Sequence, residues 1–292
     1  MSNINPRTRL RKKLNDGGLI VSPTVWDPLS ARVAESLGYE CVGVGGYALG
    51  AHLVTSEPLL TLTEVASTCR YITAAVDIPV KMDVGTGFGE PLHVMRTIRE
   101  LERAGAAAVH LEDQIFPKRA HYHKGIEHVV SREVAVARIK AAVAARTDPD
   151  FIIIGRTDAM RTDDYDEGVA RCNLFLEAGA DMVMIFPNTI EEAERAPHDI
   201  NGPIAYVNSE GNRLDRPVFS TQQLEDMGYR MVGYSATLIC SVVNELERVL
   251  DNLKSTGLSG LDPQDMIRSR KHVEDLIDLD QYYQIEADTV ER

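Results

Sequence analysis

The stretch PVKMDVGTGFGEPLHVMRTIRELERAGAAAVHLED, residues 79–113, contains two short apolar runs separated by a longer amphipathic segment. The runs at 79–83 and 107–112 are bounded by Gly, Pro or Asp, which is typical of buried strands. Pro91 suits the first turn of a helix between them, and Gly105 supplies the glycine that stops it. The apolar residues of this segment recur at helical spacing: Leu92, Met95, Ile98 and Leu101. A strand, a helix and a second strand in this order predict two parallel strands joined by a crossover helix.

The same pattern recurs along the chain. AESLGYE, LEAGAD and LEDMGYR each place a glycine where a helix ends and the next strand begins: Gly38, Gly179 and Gly228. Eight apolar runs are candidate strands: 19–25, 40–45, 79–83, 107–112, 151–156, 182–186, 204–208 and 231–234. An open doubly wound sheet also fits this alternation, but eight units within about 220 residues are typical of a (β/α)8 barrel. The sequence therefore predicts an α/β protein with the TIM-barrel fold.

The chain of 292 residues is long enough for such a barrel and one short addition. We expect the barrel, with an N-terminal helix, to span residues 1–256, and a helical tail to span 257–292. The tail has apolar residues at helical spacing that need a surface to cover: Met266, Val273, Leu276 and Ile277. A neighbouring subunit is the expected source of that surface, which predicts a homo-oligomer, either a dimer or a tetramer.

Composition excludes several classes of protein. Hydrophobic residues make up 44% of the chain and charged residues 26%, as in folded globular proteins. The net charge of −13 repels nucleic-acid phosphates and anionic lipid, so neither nucleic acid nor a membrane surface is an expected partner. No secretory signal and no apolar run of membrane-spanning length is evident. The four cysteines lie far apart, and we expect them to be buried thiols in a reducing cytoplasm: Cys41, Cys69, Cys172 and Cys240.

Polar side chains stand at the carboxyl ends of the predicted strands, where the active sites of such barrels lie. Asp83 and Glu112 end neighbouring strands and could share Mg²⁺, which is usually held by one or two carboxylates and water. Capping of helices, or pairing with Lys81 or Lys118, explains the same two carboxylates equally well. We expect strand-end carboxylates of this kind to be exposed.

Other features point to an anionic ligand. Arg156 ends an apolar strand, where a guanidinium can clamp a carboxylate or form a structural ion pair. The segment 116–130, FPKRAHYHKGIEHVV, contains two lysines, one arginine and three histidines. A cationic loop over an acidic mouth is typical of a lid for an anionic substrate, although an ordinary solvated loop fits as well.

The segments DPLSARVAESLGY, TGFGEPLHVMRTIRELERAGAAAVHLEDQIFPKR and IIGRTDA together resemble the isocitrate lyase and phosphoenolpyruvate mutase superfamily. The similarity is greatest to short members of the methylisocitrate lyase and dimethylmalate lyase type. It extends from about Trp26 to the C-terminal tail, which resembles the segment that members exchange between subunits. The resemblance implies a (β/α)8 barrel, Mg²⁺ (or Mn²⁺ in its place), and a carbon–carbon or phosphorus–carbon bond as the reacting bond.

The resemblance also implies roles for individual residues. Asp83 and Glu112 match the metal-site carboxylates, and Lys118 and Arg119 match the start of the lid motif. The positions that match substrate-binding residues are Arg156, Asn208, Gly45, Gly46 and Tyr47.

The chain departs from the family pattern at several of these positions. Gly85 replaces the second Asp of DxDTGFG, and Gly45 replaces the Ser of SGxA. The Asp expected after the second strand falls near Ser56, with Glu57 beside it. The KRCGH lid motif, whose cysteine donates a proton in the lyases, is replaced here by Lys118-Arg119-Ala120-His121-Tyr122-His123.

The departure in the lid leaves the proton donor open. We expect His123 to be the counterpart of the family histidine and His121 or Tyr122 to replace the thiol, since imidazole titrates near neutrality. The predicted catalytic set is Lys118, Arg119, His121 and His123.

The sequence as a whole predicts a Mg²⁺-dependent carbon–carbon lyase. Its substrate would be a small 2-hydroxy di- or tricarboxylate, cleaved by a retro-aldol reaction to a 2-oxo acid and a second carboxylate. The alternatives are a phosphonopyruvate-type hydrolase or mutase, an oxo-acid decarboxylase, and a barrel that binds a carboxylate without catalysis.

Overall fold

The computed structural model describes residues 4–290, in which each of the eight strands is followed by one or more helices. The strands are β1 Ile20–Val25, β2 Val42–Val44, β3 Val80–Asp83, β4 Ala108–Glu112, β5 Ile152–Arg156, β6 Met182–Met184, β7 Ile204–Asn208 and β8 Met231–Tyr234. The α-helices are α1 Pro6–Asp16, α2 Pro28–Ser36, α3 Gly46–His52, α4 Leu62–Ala75, α5 Pro91–Arg103, α6 Arg132–Ala145, α7 Ala159–Thr162, α8 Tyr165–Glu177, α9 Ile190–Asp199, α10 Thr221–Met227, α11 Thr237–Thr256, α12 Pro263–Leu276 and α13 Leu279–Thr289. Two short 3₁₀ helices are Glu57–Leu59 and Ala120–Lys124.

The strands form a closed parallel barrel in the order β1 to β8, with β8 paired to β1. Each of the eight predicted strands is present, and the ends differ by at most two residues. The prediction of a (β/α)8 barrel is therefore confirmed. Since all strands run the same way, their carboxyl ends and the loops that follow them meet at one mouth.

Local sequence signals start and stop the helices. Asp27 and Thr61 form capping boxes at the starts of α2 and α4, so the first free backbone N–H groups have acceptors. Gly228 has a φ of 101° after α10, a left-handed conformation that glycine adopts without a steric penalty. These signals fix the lengths of the crossover helices and therefore the positions of the strand ends.

The core has two layers that follow the alternation of side chains along the strands. One buried cluster packs the strands against the surrounding helices. The other fills the barrel with Ile20, Ile154 and Met231, among others, and includes Leu10 and Leu14 of α1. Helix α1 thus packs against the interior layer, and the opposite end of the barrel carries the polar strand ends.

Of the described residues, 4–238 form one compact unit and 239–290 a second. The second unit contains α12, α13 and most of α11, and several of its apolar side chains are exposed: Met266, Val273 and Ile277. Cys240, which the sequence predicted to be buried, is exposed, because it lies on a face of α11 where most neighbouring side chains are also exposed. Cys41, Cys69 and Cys172 are buried as expected. Within residues 4–290, no helix is both long and apolar enough to span a membrane.

A substitution at Gly155 in β5 tests the packing behind the strand that carries Arg156. A Cβ atom there would lie 2.8 Å from Cδ2 and 2.9 Å from Cβ of the buried Phe175. We expect Gly155→Ala to lower the free energy of unfolding by about 1–3 kcal/mol, because the ring must move in a filled core. Gly233→Ala in β8 is the matched control, since its Cβ would have no neighbour closer than 3.7 Å. Equal stability of the two variants in denaturant titrations would contradict the packing described here.

Candidate active site at the carboxyl end of the barrel

Three adjacent strands bring Asp83, Glu112 and Arg156 together at the barrel mouth. Nη1 of Arg156 lies 3.2 Å from Oε2 of Glu112 and 3.9 Å from Oδ2 of Asp83. All three side chains are buried, so the expectation of exposed strand-end carboxylates is wrong. The loops that follow the strands cover them, which a reading of single strands could not reveal.

Asp83 accepts hydrogen bonds on both carboxylate oxygens. The backbone N–H of Gly85 donates to Oδ1 at 2.8 Å and that of Gly46 donates to Oδ2 at 3.1 Å. Nε2 of His110, the neighbour of Asp83 across the sheet, is also 3.1 Å from Oδ2. Burial alone would raise the pKa of Asp83, but His110, Arg156 and Lys118 outweigh it and hold the pKa well below its ordinary value. Asp83 is therefore a fixed, ionised carboxylate.

Glu112 is shared between two cations. Nζ of Lys118 lies 2.9 Å from Oε1 and 3.1 Å from Oε2, while Arg156 contacts Oε2. Burial raises the pKa of Glu112 to about 7 against the opposing effect of both cations. The ion pair with Lys118, one of the alternatives left open by the sequence, is thus present in the structure.

Glu57 links the lid to the loop after β2. Its carboxylate contacts Nζ of Lys118 through one oxygen and accepts a hydrogen bond from the Tyr122 hydroxyl group through the other. Nζ of Lys118 also lies 4.0 Å from the centre of the Tyr122 ring, a cation–π contact. Burial and the nearby Glu57 raise the pKa of Tyr122, so the phenol stays protonated. These contacts place a phenol and a carboxylate side by side at the mouth.

The other predicted lid residues differ in their surroundings. His123 is half-buried, with Nε2 3.0 Å from Oγ of Ser56 and its ring centre 5.9 Å from that of Tyr47. Burial lowers the pKa of His123 below its ordinary value. Arg119 and His121 are exposed, and neither side chain makes a hydrogen bond or ion pair to the residues that the structure describes. The structure therefore brings Lys118, Tyr122 and His123 into the site and leaves Arg119 and His121 at its surface.

A buried polar layer positions Arg156. Asp158 lies 3.1 Å from Nη2 of Arg156 and accepts a hydrogen bond of 2.6 Å from the Gln114 amide. Asp113 in turn accepts from the Thr157 hydroxyl and from the backbone N–H of Asp158. The turn after β5 is thus fixed, and Arg156 is held toward Glu112.

The remaining predicted binding residues lie on two other loops. Gly46 leaves space for Glu57, since a Cβ atom at Gly46 would lie 2.5 Å from Cγ of Glu57. Tyr47 is 44% exposed at the edge of the site. Asn208 is buried and uses both ends of its amide on Phe219, donating to the carbonyl at 2.7 Å and accepting from the N–H at 3.2 Å. Asn208 therefore fixes the loop after β7, and its role as a substrate ligand stays a prediction.

The carboxylates fit a hard divalent cation. A cavity of about 40 Å³ beside Asp83 is lined by Glu57, Gly85 and Lys118, among others, and can hold a few waters at about 10–15 Å³ each. A Cβ atom at Gly85 would lie 4.0 Å from Oε1 of Glu112, which itself accepts no well-directed hydrogen bond from the described residues. No group of three His, Cys, Asp or Glu side chains suited to a metal occurs within residues 4–290. Two carboxylates completed by water match the usual environment of Mg²⁺.

Sequence reasoning missed two features of the site. His110 could have been found, because it lies two residues before Glu112 and so shares its face of the strand. The direct link between Glu57 and Tyr122 joins residues 65 positions apart. No local signal predicts such a contact.

Comparison with known proteins agrees with this geometry. The family model described as phosphoenolpyruvate phosphomutase matches residues 10–254. The probable 2-methylisocitrate lyase 2 of Corynebacterium glutamicum is 36% identical over 280 residues, covering 94% of this chain and 89% of the relative. A crystal structure of 2,3-dimethylmalate lyase matches with a TM-score of 0.89 and 30% identity, covering 99% of this chain and 97% of the other. Phosphonopyruvate hydrolase in complex with oxalate and Mg²⁺ matches with a TM-score of 0.86 and 25% identity, covering 98% and 100%.

Proposed function

Because the chain belongs to the phosphoenolpyruvate mutase and isocitrate lyase superfamily, we propose that it is a Mg²⁺-dependent carbon–carbon lyase. Its substrate is a small 2-hydroxy di- or tricarboxylate, and its products are a 2-oxo acid and a second carboxylate. The observation that carries the proposal is the convergence of Asp83, Glu112, Arg156 and Lys118 at the ends of neighbouring strands. A barrel that only binds a ligand has no need of this buried, charge-balanced set.

Asp83 and Glu112 are the residues that would hold Mg²⁺, with Mn²⁺ as the alternative ion. When bound, the ion supplies a Lewis acid for the 2-oxygen of the substrate. Arg156 clamps a substrate carboxylate, since its guanidinium is fixed by Asp158 on one side and faces the mouth beside Glu112. Gly45, Gly46 and Tyr47 border the same carboxylate. Because the Gly46 N–H already donates a hydrogen bond to Asp83, the backbone N–H groups of Gly45 and Tyr47 contact the substrate carboxylate.

The reaction needs one proton removed and one returned. Cleavage takes the proton from the 2-hydroxyl group, breaks the adjacent carbon–carbon bond, and leaves an electron pair on the departing α-carbon. Glu57 and Tyr122 are hydrogen-bonded to one another, so a proton accepted by Glu57 can replace one donated by Tyr122. Lys118 lies beside both groups and stabilises the negative charge that this transfer moves. Arg119, His121 and His123 complete the proposed lid set.

A direct assay separates the candidate reactions. The protein is incubated with Mg²⁺ and a panel of 2-hydroxy di- and tricarboxylates, phosphonopyruvate and oxaloacetate, and the products are separated by chromatography. Release of glyoxylate or pyruvate with a second carboxylate supports the lyase. Phosphate release would indicate the hydrolase, loss of CO₂ the decarboxylase, and binding without turnover a silent barrel.

We also propose a homo-oligomer, a dimer or a tetramer, in the cytoplasm. The exposed apolar side chains of α12, α13 and the turn between them support association: Met266, Ile267, Val273, Ile277, Tyr282, Tyr283 and Ile285. The four cysteines are free thiols, a state that a reducing compartment maintains.

Deletion of residues 258–292 tests the assembly. We expect the deletion to lower the molar mass measured by light scattering to that of the monomer, or to cause aggregation, because the exchanged helices cover apolar surface. An unchanged monomer before and after deletion would refute the exchange.

A further inference from the structure

Three guanidinium groups surround the ring of Phe186 at the barrel mouth. The Cζ atoms of Arg156, Arg161 and Arg216 lie 4.8, 5.4 and 5.1 Å from the centre of the ring. Phe186 follows β6, and the arginines follow or end β5 and β7, so the cluster belongs to the carboxyl end of the barrel. This arrangement places Arg161 and Arg216 on the same ring as the proposed carboxylate clamp.

The three arginines differ in their partners. Arg156 forms ion pairs with Glu112 and Asp158. Arg161 forms an ion pair with Glu127 and lies 3.5 Å from Asp158. Arg216 is only 7% exposed, yet its guanidinium makes no hydrogen bond or ion pair with the residues that the structure describes, and the Phe186 ring is its neighbour. No carboxylate of the described residues therefore lies within ion-pair distance of the Arg216 guanidinium.

The loop that carries Arg216 is rigidly held. Asn212 accepts from the backbone N–H of Arg216 at 2.9 Å and donates to its carbonyl at 3.0 Å. The hydroxyl of Tyr206 donates to the carbonyl of Pro217 at 2.6 Å, and Asn208 clamps Phe219. The position of Arg216 thus follows from contacts of its own backbone and of its neighbours.

Burial of the Arg216 guanidinium lowers the stability of the free protein. A buried charge without a partner is strongly unfavourable, and the interior accepts it only when other interactions outweigh it. Burial, together with the positive charge of Arg161, lowers the pKa of Arg216 to about 10. A fixed guanidinium that lacks an acceptor in the free protein is suited to an anion that arrives with a ligand.

We propose that Arg216, supported by Arg161, is a subsite for a second carboxylate of the substrate. The inference rests on the proposed function, because Arg156 is taken to hold the carboxylate next to the reacting carbon. It assigns a binding residue to the second carboxylate of the proposed di- or tricarboxylate, a group that a monocarboxylic 2-hydroxy acid lacks. The distal carboxylate would lie toward the loop after β7.

Equilibrium binding tests the subsite without turnover. Calorimetry in Mg²⁺ compares 2-oxoglutarate with 2-oxopentanoate and 2-oxoadipate with 2-oxohexanoate, pairs that differ only in a terminal carboxylate or methyl group. These 2-oxo acids lack the hydroxyl group that cleavage requires. In the native protein, at least one dicarboxylate should bind more tightly than its partner, and Arg216→Met should weaken that binding by about 10–100-fold. The affinity for the monocarboxylates should change by less than about twofold, since they carry no terminal carboxylate for Arg216 to bind.

Two controls separate a subsite from a structural role. Arg70→Met removes the same charge from an exposed helix position and should leave all four affinities unchanged. Arg216→Met should not lower the melting temperature of the free protein, because it removes an unpaired buried charge, and Arg216→Lys should restore part of the lost affinity.

Failure of the subsite and failure of the lyase proposal give different experimental results. Equal weakening of both members of each pair, no weakening of either dicarboxylate, or no dicarboxylate binding to the native protein at millimolar concentration would overturn the subsite. Selective weakening supports it even if the assay of the substrate panel finds a reaction other than carbon–carbon cleavage.

Discussion

Replacing Asp83 by Ala is expected to abolish both turnover and its dependence on Mg²⁺. Asp83 is one of two buried carboxylates that would hold the ion, and Lewis-acid stabilisation of the transition state amounts to several kcal/mol, or a loss of about 10³-fold in kcat. Calorimetric titration with Mg²⁺ should show weaker binding in parallel. Full activity of the variant would contradict the metal assignment.

The control for this variant must preserve the surroundings of Asp83. Its oxygens accept from the N–H groups of Gly46 and Gly85 and contact Nε2 of His110, so Ala leaves several buried donors unsatisfied. Asp83→Asn keeps the shape and one acceptor oxygen but removes the charge. We expect Asp83→Asn to be more stable than Asp83→Ala, because it keeps one acceptor for these donors, and to lose activity almost as fully. Loss of activity in Ala but not in Asn would indicate a structural role instead.

Removing the hydroxyl group of Tyr122 should have the second large effect. If the lid returns a proton to the departing carbon, Tyr122→Phe should lower kcat by about 10²–10⁴-fold with little change in substrate affinity. The ring that packs over Lys118 remains, so the variant removes only the phenol group. His123→Ala should have a smaller effect and His121→Ala the smallest, because His123 is half-buried beside Ser56 whereas His121 is exposed.

The pH profile separates the phenol from the imidazole as the donor. The pKa of Tyr122 is raised, so a Tyr122 acid keeps its proton and the rate does not fall on its account as the pH rises through neutrality. The pKa of His123 is lowered from its ordinary value of 6.5. A His123 acid would therefore lose its proton, and the rate would fall, as the pH rises through a value below 6.5. If Tyr122→Phe, His123→Ala and His121→Ala all keep native turnover, the loop serves only as a cationic lid. The reaction would then need no donor there, as in decarboxylation or hydrolysis.

The barrel could be predicted because its signals are local. Apolar runs such as 151–156, stop signals such as Gly228 and start signals such as Pro91 each depend on a few neighbouring residues. The convergence of Asp83, Glu112 and Arg156 followed from the rule that parallel strands end at one mouth. Their roles as metal and carboxylate ligands were one of the alternatives that the strand ends left open; the family resemblance favoured these roles, which stay proposals.

The contacts between loops could not be predicted. Glu57 meets Lys118 and Tyr122 across more than 60 positions of sequence, and Arg216 approaches Phe186 from the loop after another strand. Such contacts depend on the path of each loop over the mouth, which strand and helix patterns do not encode. The same reason explains why Asp83 is buried when the strand end alone suggested exposure.

Product stoichiometry, measured by ¹H NMR on a single sample, tests the central claim most directly. The native protein, Mg²⁺ and a 2-hydroxy di- or tricarboxylate selected from the substrate panel should give a 2-oxo acid and a second carboxylate in equal amounts. In D₂O the second product should carry one solvent deuterium on the carbon that lost the bond. Chelation of the metal and Asp83→Asn should each stop both products together. A 2-oxo acid accompanied by CO₂ or phosphate, or turnover that continues without metal, would contradict the account.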